Sequence, residues 1–193
     1  MRWLTPQPIQ AQRPQAGPDQ ADSQQDGQAS TSLEERIRAV AQPLGAEHSF
    51  DVIVRRFEAA GRPAALIHLD GFLRPTPTVQ LLKSLMTGPG ELARGEPRRA
   101  LEQRLVPFFE VQWVSEPQEA VHQVLCGQAA LVVDGLAEYL LVDLRQYPSR
   151  AVAEPDLERV TRGARDGFTE TGLTNVNLIR RRLRDPHLRV ETF

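Results

Sequence analysis

Cysteine is nearly absent from the chain: Cys126 is the single one among 193 residues. An intrachain disulfide and any Cys-x-x-Cys pair are therefore excluded, and the redox compartment stays unmarked. Lysine is nearly absent too; Lys83 is the only one, and the remaining basic residues are arginines. Strong net charge is missing, at −2. Together with the lack of basic stretches interleaved with aromatics, this argues against a nucleic-acid binder. No run of about 18 apolar residues occurs, so no segment reads as a membrane span. Met1-Arg2-Trp3-Leu4 is broken at once by Pro6 and Pro8, which leaves no signal-peptide apolar core. Gly-x-Ser-x-Gly and His-Glu-x-x-His motifs are absent, and the four histidines (His48, His68, His122, His187) show no ligand spacing. The expectation is no catalytic residue, no metal and no cofactor.

What is present begins near Ser32. Residues 1–30 are rich in Gln, Pro, Gly and Asp; they bury too little apolar surface to offset ordering entropy and read as a disordered tail. Ser32 and Glu35 form a capping box ahead of Leu33, Ile37, Val40 and Leu44 at helical spacing, ended by Pro43 and Gly45. Residues 50–57 are β-branched and read as a strand, and Gly61-Arg62-Pro63 as a turn. Residues 64–69 form a near-continuous apolar run, as in a strand covered on both faces. Val79, Leu82 and Leu85-Met86 predict one face of a helix ended at Gly88-Pro89-Gly90. Residues 91–105 read as a mobile link or short helix. Residues 108–114 alternate like a strand, and Ser115 and Pro117 open a helix ended by Gly127. Cys126, at the apolar end of that helix, reads as a buried inert thiol. Residues 129–134 and 137–144 read as paired strands around Asp134-Gly135.

Alternating strands and helices predict an α/β fold with two small subdomains. Residues 31–148 form the first, a mixed sheet flanked by helices. Residues 149–193 form the second, a partial α/β unit. Within it, Pro155 suits a first helical position, Asp156 and Glu158 a first turn, Arg159 and Arg162 a last turn, and Gly163 a left-handed end. A second helix follows, with Leu173, Val176, Ile179 and Leu183 as its apolar face.

Arg150, Glu154-Pro155, Glu158, Val160, Arg162-Gly163, Arg165, Gly167-Phe168, Glu170, Asn175, Leu178-Ile179-Arg180-Arg181-Arg182 and Leu188, in this order and spacing, resemble the signature of the GerA spore germination protein family, the A subunits of nutrient germinant receptors. Residues 50–57, 66–72 and 127–135 and the helix ending at Met86 extend the likeness to about residues 33–191. The resemblance implies the soluble N-terminal region of such a subunit, built of two α/β subdomains ahead of a bundle of membrane helices. It further implies assembly with B and C subunits and other A subunits in the spore inner membrane, a response to a small nutrient ligand, and no enzymatic activity. The sequence departs from the pattern at Ala164, where proline is usual, and at Gly172, where a helix former is usual. Family members continue past the position of Val190. The expectation is therefore a cut piece or a truncated or split gene product, with an incomplete second subdomain and Leu188–Glu191 as a strand with an unpaired edge.

Arg165, Arg180, Arg181 and Arg182, with Arg184, are the candidate anion or subunit contacts. The helical spacing places the cluster on the flanks and outer face of its helix. The alternative is a solvated helix whose arginines pair with Glu154, Glu158, Glu170 and Asp185. Residues 163–167 lack the spacing of a phosphate loop and read as a turn carrying Phe168 into the core. His68 and Asp70 share a strand face and read as a hydrogen-bonded structural pair. A small α/β enzyme or binding protein using the arginines as anion clamps is the competing function class; it lacks a nucleophile.

Overall fold

The computed structural model describes residues 32–88, 90–106, 110–146 and 168–192. Five helices and five strands run in the order α1 (Leu33–Leu44), β1 (Val52–Ala59), β2 (Arg62–Leu69), α2 (Pro75–Thr87), α3 (Pro97–Ala100), β3 (Val111–Val114), α4 (Pro117–Leu125), β4 (Ala129–Val133), β5 (Tyr139–Val142) and α5 (Gly172–Leu183). A π-helical turn, Leu101–Leu105, continues α3. The strands form one sheet in the order β1-β2-β4-β5-β3.

The α/β class holds. Every strand pair among the described residues is antiparallel, where the sequence reading expects a mixed sheet. The apolar runs have the expected cause: helices cover both faces. Ile37, Val40 and Leu44 of α1 and Val121 and Val124 of α4 pack with Ala65, Ile67, Val132 and Leu141. Leu81, Leu82 and Leu85 of α2 and Leu101 and Leu105 of the π turn pack with Leu66, Leu131, Leu140 and Val142. Each strand face meets a helix layer, so β4 and β5 are buried along their whole length.

Local signals explain most boundaries. The Ser32 hydroxyl accepts from Glu35 N (3.2 Å), and Glu35 Oε2 accepts from Ser32 N (2.8 Å). Pro43 sits inside α1, and Gly45 ends it. Glu116, not Ser115, is the N-cap of α4 and makes no side-chain cap bond; Pro117 supplies the start. Of residues 91–105, read as a mobile link or short helix, 97–105 form α3 and the π turn, and Leu92, Leu101 and Leu105 are buried. On α2 the buried face is Leu81, Leu82 and Leu85, while Val79 and Met86 are 63% and 50% exposed. Cys126 is half-buried, its Sγ 3.7 Å from His122 Nε2. His68 Nδ1 lies 3.1 Å from the Leu69 carbonyl oxygen, rather than bonding Asp70. No helix among the described residues is long and apolar enough to cross a membrane.

Candidate functional site

Residues 168–192 lie against the earlier described residues along a polar seam. Its centre is Arg180, which is fully buried, as is Asp51 at the entrance to β1. Arg180 Nε donates to Asp51 Oδ2 (2.7 Å) and Nη2 to Asp51 Oδ1 (3.1 Å). Nη2 also donates to Ser49 Oγ (3.0 Å), and Nη1 makes a long bond to the Asp185 carbonyl oxygen (3.4 Å). Ser49 Oγ accepts in addition from Val190 N (2.8 Å), and Phe50 N donates to the Val190 carbonyl (3.1 Å). The two-pronged fork is the geometry in which guanidinium and carboxylate match best. Buried charges persist when paired and hydrogen-bonded in this way.

Two glycines make room for this segment. Gly71 has φ +74°, and a Cβ there would lie 2.2 Å from Asn177 Nδ2. Gly45 has φ +75°, and a Cβ there would lie 2.1 Å from Arg189 Nε. Arg189 donates to the Pro43 carbonyl (3.2 Å) at the end of α1, whose last turn has no basic residue of its own. A cation there also complements the helix dipole. Asn177 is buried and its Oδ1 has no hydrogen-bond partner.

Asn175 braces the start of α5. Its Oδ1 accepts from Thr169 N (2.7 Å) and its Nδ2 donates to the Thr169 carbonyl (2.6 Å). This reciprocal pair ties the segment ahead of α5 to its first turn; the N-cap, Thr171, makes no side-chain cap bond. Arg184 ends α5 in the left-handed conformation, φ 46°.

The arginine cluster is therefore divided. Arg180 points inward with its donors committed, whereas Arg181, Arg182 and Arg184 are exposed. The expected apolar face of α5 shifts: Asn177, Leu178 and Arg180 are buried, while Leu183 is 60% exposed. Phe168 is 72% exposed instead of buried in the core. Glu170 forms no ion pair among the described residues, and the Asp185 carboxylate accepts from His187 N (2.8 Å) rather than from an arginine. Leu188–Glu191 forms no regular strand; Val190 is joined to Phe50 and Ser49. Glu154, Pro155, Arg162, Gly163, Arg165 and Gly167 lie outside the described residues. Asp51, Ser49, Gly71 and Asn177 are the seam residues that sequence reasoning missed. The available signal was Asp51 itself, a carboxylate opening an otherwise apolar strand start. Among the described residues no group of His, Cys, Asp and Glu could hold a metal ion.

The family model described as the Bacillus/Clostridium GerA spore germination protein matches residues 40–193. The chain belongs to the GerA family. Stage V sporulation protein AF of Bacillus subtilis (strain 168) is 34% identical over 174 residues, covering 82% of this chain and 34% of that protein. Spore germination protein KA of the same organism is 25% identical over 165 residues, covering 84% of this chain and 30% of that protein. This GerA chain thus spans about a third of the length of these curated relatives. The crystal structure of the N-terminal domain of the A subunit of the Bacillus megaterium spore germinant receptor GerK3 matches with a TM-score of 0.58 and 21% identity, over 84% of this chain and 60% of that one. At that identity the match establishes the shared α/β fold.

Proposed function

We propose that this chain is the N-terminal α/β region of a germinant receptor A subunit and acts in nutrient-triggered spore germination through receptor assembly and signal transmission. In this reading residues 31–148 and 149–193 are its two subdomains. It works with B and C subunits and other A subunits at the spore inner membrane, without enzymatic activity. The observation that supports it best is the buried Arg180–Asp51–Ser49 network. The signature helix commits its central arginine to holding the second segment on the first, an architectural use that suits relaying position between parts.

The test is a germination assay. Asp51→Asn and Arg180→Met, introduced into the full-length gene, are expected to lower nutrient-triggered germination and the level of partner subunits in spores. Unchanged germination with both variants would sink the reading. Direct sensing is tested separately, by calorimetric titration with amino acids, sugars and nucleosides; heat with one class and not the others assigns the nutrient to this chain.

A further inference from the structure

Helices α1, α2 and α4 each insert apolar side chains into the two cores, Ile37, Leu85 and Val124 among them. Helix α5 is held differently. No apolar side chain of residues 168–192 belongs to either core or packs against one among the described residues. Polar contacts hold the segment instead: Arg180 on Asp51 and Ser49, Val190 on Ser49 and Phe50, and Arg189 on the Pro43 carbonyl. Groups of this kind regain partners in water when they separate. A buried ion pair in particular exchanges lost hydration for mutual attraction, so it fixes position more than it adds stability. Asn177 adds a cost to the closed seam, because its buried Oδ1 has no hydrogen-bond partner and gains one in water.

We infer that residues 168–192 lift from the sheet as one unit while both apolar cores stay closed, so that the seam is a latch built into the fold. Segments with few buried apolar contacts open at free energies below that of global unfolding. Opening leaves the five strands and the helices packed on them with every core contact they have when closed. It bares Ser49, Asp51 and the Phe50 N–H on one side and the Arg180 guanidinium on the other. The two states thus differ by one exposed carboxylate and one exposed guanidinium, and a charged partner selects between them by that difference. The latch is a property of this chain and stands or falls apart from the receptor reading.

Native-state hydrogen exchange of the chain reads the latch. The Leu178, Ile179 and Arg180 amides of α5 and the Phe50 amide, which donates to the Val190 carbonyl (3.1 Å), should share one protection factor. It should lie at least about tenfold below that of the β4 amides. Urea should speed this group with the shallower slope, since undocking exposes less surface than unfolding. Ser49→Ala removes the acceptor that Arg180 and Val190 share and should speed α5 and Phe50 exchange together by about tenfold. Equal protection of α5 and β4 overturns the inference. So does a Ser49→Ala effect confined to Phe50, which is local fraying at Val190 rather than release of the segment.

Discussion

Arg180 and Asp51 stand 129 positions apart in sequence, yet their side chains meet through two hydrogen bonds in a site closed to solvent. Removing one partner of such a pair leaves an uncompensated buried charge, and this typically costs about 3–5 kcal/mol. Arg180→Met is therefore expected to lower the unfolding free energy by about that amount, measured by urea denaturation. The double variant Arg180→Met/Asp51→Leu removes both charges and should recover much of the loss. A double variant no better than the single one would show that the charge itself is not the cause.

Gly71→Ala tests the seam from the other side. A left-handed non-glycine residue costs about 1–2 kcal/mol, and the added methyl also meets Asn177. Asn177→Gly in the same chain relieves the contact but not the backbone strain. The two substitutions should therefore be non-additive in thermal unfolding. Strict additivity would mean that Asn177 does not occupy the space Gly71 leaves.

Arg184 offers a gain. It ends α5 at φ 46°, where glycine is the natural residue. Arg184→Gly relieves strain of about 1–2 kcal/mol and adds unfolded-state entropy costing roughly 0.5–1 kcal/mol. A net rise in stability of about 0.5–1 kcal/mol is expected by denaturant titration. Any loss would place the value of Arg184 in its side chain.

His68 sets a pH dependence. Burial pushes its imidazole below the ordinary value of 6.5, partly offset by the Leu69 carbonyl and the charge of Asp70. The folded state thus takes up a proton less readily than the unfolded chain. His68 leaves stability undiminished above about pH 6.5 and subtracts from it as pH falls toward the lowered folded value. His68→Gln should flatten the stability profile just below pH 6.5. A profile unchanged by the substitution would rule out His68 as its source.

Much of the α/β organisation was legible because its signals are local. The capping box at Ser32 and Glu35, the Asp134-Gly135 turn and the apolar strands at 64–69 and 129–134 depend on neighbours a few positions away. Strand direction was not legible, since a run such as Ala129–Val133 records only that both faces are covered. Val79 and Met86 match a helical period, but α2 turns Leu81, Leu82 and Leu85 inward because the sheet lies on that side. The burial of Arg180 was not legible. Local pattern assigns a charged residue to water, and only Asp51, remote in the chain, makes its burial tolerable.

That remoteness also sets an order of events at the ribosome. Asp51 emerges 129 residues ahead of Arg180, a delay on the order of ten seconds at ordinary synthesis rates. Throughout it the nascent chain carries a carboxylate whose permanent partner has not yet been made. The sheet's opening strand must keep that corner hydrated until α5 leaves the exit tunnel, so a stretch made later completes one made earlier.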